Sequence, residues 1–260
     1  MSRIDPVAAA GFASAADVYE RARPSYPAEA VAWIAERTGL GPGRTVVDVG
    51  AGTGKLTRLL TPTGARVIAI EPIAEMRAKL TGVETLDGTA EDLPLPDGAA
   101  DVITVAQAFH WFDLDRALPE LYRVLRPGGS LAVIWNSRDL DDPLQAGVEE
   151  LLLAARGGSP AQQYGHWRAP LARSPLFGEL QTREFRYEQQ FTADDLCDRV
   201  ASTSFVAAMP ALEREELLVR VRALAYGLDE PFPFPYKTEV HIVPRSSDRG
   251  DEGRGTSIQG

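Results

Sequence analysis

Three glycines stand at alternate positions in Asp48-Val49-Gly50-Ala51-Gly52-Thr53-Gly54, immediately after the β-branched run Thr45–Val49. Glycine lets a chain turn tightly and approach a ligand closely, and a helix that starts there offers unpaired N–H groups. A dinucleotide site requires G-x-G-x-x-G. Here the third glycine comes one residue early and Lys55 follows it, a departure from the dinucleotide pattern; the turn is read as a ligand-binding glycine loop, with a glycine turn that binds nothing as the alternative. Glu71 stands 21 residues after Gly50, at the end of a second β-branched run. A carboxylate there can accept from both hydroxyls of a ribose. The alternative for Glu71 is an ordinary solvated carboxylate at a helix start.

Two further segments carry reactive or recognition groups. Gln107-Ala108-Phe109-His110-Trp111-Phe112 follows a fourth apolar run, at the end of the sheet where open α/β folds place ligands. His110 could act as a general base near neutral pH, or could shape the wall and position substrate. Trp111 reads as pocket wall. Tyr19-Glu20-Arg21-Ala22-Arg23-Pro24-Ser25-Tyr26-Pro27 reads as a lid, with Tyr19, Arg23 and Tyr26 available to an acidic group, or as a strap held by aromatic packing. His166, Trp167 and His241 have no partner spacing and read as structural. No His/Asp/Glu cluster has metal-ligand spacing, so no metal is expected.

The elements that must position these groups follow from periodicity. Strands are predicted at Thr45–Val49, Arg66–Ile70, 83–86, 101–105, 130–135, 180–191 and 237–243. Helices are predicted at Lys55–Leu60, 72–80, 113–125, Pro143–Arg156, 192–206 and 211–227, and Pro127-Gly128-Gly129 is predicted to turn the chain. Strands alternating with helices through the first half mean an α/β fold, a parallel sheet covered by helices on both faces.

At 260 residues, 44% hydrophobic and 25% charged, the chain is an ordinary globular sequence with room for a large core. The longest run without a charge is thirteen residues, 200–212, too short to cross a bilayer, so no membrane partner is expected. A net charge of −10 with no basic stripe argues against nucleic acid. Cys197 is the single cysteine, set among Asp194, Asp195 and Asp198, which disfavour a thiolate. The N-terminus lacks the apolar core of a signal peptide, which makes the cytoplasm the expected compartment. Residues 245–260 hold one aliphatic side chain, Ile258, and are expected to be disordered.

Taken in order, Asp48 to Gly54, Glu71, Gly88-Thr89-Ala90-Glu91-Asp92-Leu93-Pro94, the run 101–105 and Leu125-Arg126-Pro127-Gly128-Gly129 resemble the motifs of class I S-adenosylmethionine-dependent methyltransferases. The Gln107–Phe112 and Tyr19–Pro27 segments resemble the small-molecule branch that includes trans-aconitate methyltransferases. The resemblance implies a Rossmann-like, seven-stranded, mostly parallel sheet with the last strand antiparallel and a helical cap. It implies a strap at 1–30 and a catalytic domain at 31–244, with cap insertions near 139–178 and 192–228. S-adenosyl-L-methionine is the implied cofactor, and a small molecule, with a carboxylate as one acceptor, is the implied substrate. On this basis Gly50, Ala51 and Gly52 face the methionine portion of the cofactor, Asp48 orders the loop and Glu71 holds the ribose. Pro72 and Met76 pack on the adenine while Ala90 and Glu91 meet its edge, and Gln107 completes the cofactor set. Many relatives carry an acid where Thr89 stands, which shifts the adenine amino contact toward Glu91. Two other readings stay open: a nicotinamide-dependent oxidoreductase, disfavoured by the glycine spacing and the lack of a Tyr-x-x-x-Lys pair, and a binding module that keeps the fold without turnover.

Overall fold

A computed structural model describes residues 23–156 and 167–247. The core is one seven-stranded sheet: β1 (Thr45–Val49), β2 (Arg66–Ile70), β3 (Glu84–Leu86), β4 (Ala100–Ala106), β5 (Leu125–Arg138), β6 (Gln181–Phe191) and β7 (Phe232–Pro244). Their order is β3-β2-β1-β4-β5-β7-β6, with β1 to β5 parallel and β7 antiparallel to both β5 and β6. This is the α/β arrangement expected from the alternation of elements.

Successive side chains of the central strands point to opposite faces, and both faces are apolar. Val46, Val67, Val102 and Ile134 pack against α1 (Ala28–Thr38) and α2 (Lys55–Leu60). Val47, Ile68, Ile103 and Val133 pack on the opposite face against Leu118, Leu121 and Val124 of α4 (Leu114–Val124) and Leu171 of α6 (Arg168–Arg173). Between them in sequence, α3 (Ala74–Arg77) is one short turn; the predicted helix at 72–80 contracts to it because Pro72 and Ile73 remain outside the helix. A third apolar cluster forms the cap. It joins α5 (Pro143–Arg156), α7 (Ala193–Ala201) and α9 (Ala211–Leu224) to the first half of β7 through Leu152, Leu196, Val200, Val221, Phe234 and Tyr236. The helix predicted over 192–206 breaks after Ala201, and α8 (Ser204–Ala207) follows as a separate turn. Cys197 is buried in this cap, and burial pushes its thiol pKa up.

Two expectations are corrected. Pro127, Gly128 and Gly129 do not form a separate turn before the strand but an irregularity inside β5: Ala100 pairs with Leu125 and Val102 with Ser130. Only glycine serves at 129, where a Cβ would lie 2.8 Å from the Asp101 carbonyl oxygen. Nor does a disordered tail begin at residue 245. Arg245 donates to the Leu125 carbonyl and lies 4.1 Å over the Tyr122 ring, and Ser246 N donates to Leu176 O at 3.0 Å. The rest of the tail, 248–260, lies outside the described residues.

A charged hydrogen bond and a cation–π contact together contribute about 2–3 kcal/mol. Truncation after Pro244 is therefore expected to lower the melting temperature by roughly 4–10 °C relative to truncation after Ser247. Thermal scans of the two truncated proteins would settle the point, and equal melting temperatures would show that Arg245 and Ser246 contribute nothing.

Candidate active site

The glycine turn sits at the carboxyl end of β1. Gly50, Gly52 and Gly54 have φ of 68°, 57° and 88°, in the left-handed region. At Gly50 the demand is doubled, because a Cβ would also lie 2.8 Å from the Ala108 Cβ. Strand β2 holds the turn from the side: Gly50 N and Ala51 N both donate to Ile70 O, at 2.9 and 3.1 Å. Glu71, the next residue, then accepts from Gly52 N on Oε2 at 2.8 Å and from Ile73 N on Oε1 at 2.9 Å. Its carboxylate is 4% exposed, and burial pushes its pKa up despite those two backbone donors. Each oxygen has taken one backbone donor, which leaves lone pairs on both for a ligand diol.

Asp48 lies underneath the turn and is fully buried. It accepts from Thr57 Oγ1 of α2 at 2.6 Å and from Thr104 Oγ1 of β4 at 2.9 Å, so one carboxylate ties two strands to the helix after the turn. It lines neither cleft described next. Burial raises its pKa to about 6 against the two hydroxyl bonds.

Two clefts meet over this turn. The first, about 800 Å³ of open space, is walled by Glu71, Pro72, Met76, Thr89, Ala90, Glu91 and Trp111. Met76 faces Gly52, with its Sδ 3.9 Å from where a Cβ would stand. Glu91 has one carboxylate oxygen committed to Asp113 N at 2.9 Å, so only part of its acceptor capacity faces the cleft. The second cleft is walled by Arg23, Tyr26, Asn136, Arg138, Arg199, Thr203 and Tyr236, and includes Ala51. Gly50, Gly52, Ala106 and Gln107 belong to both. Gln107 is the one non-glycine residue with positive φ (56°) among those described, held by its amide to Ile134 O at 3.1 Å and its side chain to Asn136 O at 2.9 Å. Strain of this kind persists where surrounding structure fixes it, and it sits here where the clefts join.

Some expected residues fall elsewhere. His110 is not among the described residues that line the two clefts; its ring packs 4.4 Å from Trp111 and edge-on 5.1 Å from Trp135. His241 is buried against Trp167, with its pKa lowered to about 4 by burial and then by Arg168. Tyr19 and His166 lie outside the described residues. Asn136, Arg138, Arg199, Thr203 and Tyr236 escaped the sequence reading. For Asn136 and Arg138 there was a signal, since they continue β5 at the carboxyl end of the sheet, beyond the point where the strand was predicted to stop.

A model described as a methyltransferase domain matches residues 47–133, the span that holds the turn, Glu71 and the first cleft. An uncharacterized methyltransferase of Mycobacterium tuberculosis (strain ATCC 25618 / H37Rv) is 43% identical over 218 residues, covering 82% of this chain and 84% of the relative. The chain is a class I S-adenosylmethionine-dependent methyltransferase. A further methyltransferase, from Schizosaccharomyces pombe and also uncharacterized, is 34% identical over 204 residues, covering 76% of this chain and 80% of its own length. The solved structure of a putative type II methyltransferase from Anaeromyxobacter dehalogenans superposes with a TM-score of 0.67 at 27% identity, over 85% of this chain and 97% of that one. The methyltransferase fold and its enzymatic class are thereby established for the chain, and the names of these three relatives specify no acceptor.

The raised pKa of Asp48 yields a signed expectation. A carboxyl whose folded pKa exceeds its unfolded value stabilises the fold fully below the unfolded pKa of about 3.8, and that stability is lost as pH rises through about 6. Asp48→Asn has no such loss, and a hydroxyl partner can rotate to accept from its amide. The stability of wild type minus that of D48N should therefore fall by up to about 3 kcal/mol between pH 4 and 7.5. Paired denaturation curves measure this; a difference constant with pH would show that Asp48 titrates normally.

Proposed function

We propose that this methyltransferase modifies a small molecule, with a carboxylate oxygen as the accepting atom. The observation that carries the reading is the junction of the two clefts over Gly50, Gly52, Ala106 and Gln107, with Glu71 fixed on one side. The residues fit the cofactor. Gly50 and Gly52 leave the turn without side chains on its cleft side, and Glu71 has acceptor capacity on both oxygens for the ribose diol. Met76 and Pro72 supply an apolar surface for the adenine, and Ala90 and Glu91 its edge. When bound, S-adenosyl-L-methionine supplies a methyl group on a sulfonium, open to in-line displacement by an acceptor.

The protein's own contribution is then mainly alignment. Holding donor and acceptor in one geometry can by itself supply roughly 7–11 kcal/mol of barrier reduction. Gln107, locked to both Ile134 and Asn136, keeps the junction between the clefts rigid. Trp135 and Tyr26 give the second cleft part of an apolar wall. A carboxylate acceptor is ionised at neutral pH and needs no base. That matches a histidine whose ring faces Trp111 and Trp135 rather than either cleft.

Incubation with labelled S-adenosylmethionine and a metabolite extract tests the whole reading: label in an organic-acid ester supports it, while label on an amine or a phenol would contradict the acceptor assignment. Glu71→Ala is expected to weaken S-adenosylhomocysteine binding at least tenfold, as two charge-assisted hydrogen bonds of about 1.5–3 kcal/mol each are lost. An unchanged calorimetric titration would remove Glu71 from the site. His110→Ala should lower kcat less than about tenfold and leave the rate flat from pH 6 to 9, whereas loss of a general base would cost ~10²–10⁴-fold and abolish a rising limb.

A further inference from the structure

The two clefts differ in charge. Glu71 and Glu91 line the first, which has no basic lining residue. Arg23, Lys55, Arg138 and Arg199 line the second, against the single carboxylate of Glu149. On a chain of net charge −10 this concentration of cations is local and specific. Glu149 is already committed, bonded to Arg138 Nη1 at 2.6 Å. Arg23 is anchored to the Ser202 carbonyl at 2.9 Å, at the end of α7.

Arg199 is held differently. Its Nε donates to the Tyr236 hydroxyl at 3.2 Å, which fixes the plane of the guanidinium from β7. Its Nη1 is buried and has no hydrogen-bond partner, and the same is true of Thr203 Oγ1, four residues on in the turn after α7. A cation in the last turn of a helix complements the helix dipole, which accounts for an arginine at 199. The dipole does not account for a buried N–H without an acceptor, nor for a buried hydroxyl in the same state. Buried donors are almost always paired, because an unpaired one costs about 1–3 kcal/mol. Both residues line the second cleft, four positions apart in sequence, and a guanidinium N–H together with a hydroxyl is a donor pair that suits the two oxygens of one carboxylate.

We propose that Arg199 and Thr203 form the acceptor-recognition site of this enzyme, receiving a carboxylate of the substrate in the second cleft. The assignment rests on the methyltransferase reading of the two clefts and adds the residues that select the acceptor. Tyr236 is a positioning residue, acting through the Arg199 guanidinium. Specificity of this kind comes chiefly from the penalty on a neutral amide, whose single carbonyl oxygen lacks the charge and puts an N–H where the second acceptor should stand.

The test uses the full chain saturated with S-adenosylhomocysteine. Calorimetry would measure binding of a panel of aliphatic and aromatic carboxylates, each with its neutral amide, and of inorganic phosphate. At least one carboxylate is expected to bind, and its amide and phosphate are not. Arg199→Gln should weaken that carboxylate at least about tenfold and Thr203→Val several-fold, with S-adenosylhomocysteine affinity unchanged within about threefold. Thr203→Val is nearly isosteric and keeps the test open if the arginine variant misfolds. The proposal is overturned if no carboxylate binds the wild-type complex, if phosphate is preferred, or if both variants bind the carboxylate normally. It is also overturned if Arg199→Gln weakens S-adenosylhomocysteine itself, since the guanidinium would then serve the amino-acid end of the cofactor. Failure of wild type to bind S-adenosylhomocysteine at all would instead sink the reading of the clefts.

Discussion

The arrangement depends on one hydrogen bond, from Gly52 N to the Glu71 carboxylate at 2.8 Å. A left-handed glycine turn has almost no side chain to hold it, and Ile70 O, which takes Gly50 N and Ala51 N, leaves Gly52 N still to be paired. Glu71 closes it from the neighbouring strand, and in doing so is fixed by Ile73 N on its other oxygen. One side chain therefore shapes the floor of both clefts and presents acceptor lone pairs to one of them. Burial opposes its ionisation, as the raised pKa records, and the two backbone donors offset part of that cost. Beneath it Asp48 performs the matching task inside the protein, tying β1, β4 and α2 together through Thr104 and Thr57.

Around that floor the fold divides the labour. The parallel half of the sheet, buried on both faces, sets the positions of the turn, Glu71 and Gln107 at the carboxyl ends of adjacent strands. The antiparallel β7 extends the sheet and carries Tyr236 upward into the cap cluster. Because β7 pairs with β5 from Ser130 to Arg138, the second cleft is assembled from elements far apart in sequence. Its charge follows from that assembly: Arg23 precedes α1, Arg138 ends β5 and Arg199 ends α7, and no linear basic stripe announces them.

That difference explains what could be read from the chain and what could not. Strands β1, β2 and β4 stand in short β-branched runs, because a strand buried on both faces must be apolar throughout, and the structure places them within a residue or two of the predicted bounds, as it does the edge strand β3. The glycine turn and Glu71 were legible because their chemistry is written into local spacing. The extent of β5 and β7 was not legible. The residues beyond the predicted end of β5, Asn136, Ser137 and Arg138, pair with Thr238, Lys237 and Tyr236 of β7, a partner far away in sequence that local pattern does not reveal. Nothing in the local sequence singles out Arg199, whose Nε meets the Tyr236 hydroxyl of β7 only in the folded structure. For His110 the sequence left two roles open, base or wall and positioning, and the structure adds that its ring packs on Trp111 and Trp135.

The central claim is that the turn gripped by Glu71 joins a cofactor cleft to an acceptor cleft. A crystal structure of the full chain with S-adenosylhomocysteine tests it most directly. The account expects both ribose hydroxyls within hydrogen-bonding distance of Glu71 and the adenine beside Met76. The thioether sulfur should lie over Gly50 and Gly52, facing the cleft lined by Arg199 and Tyr236. A ligand bound with its ribose away from Glu71, or with its sulfur turned from the second cleft, would contradict it.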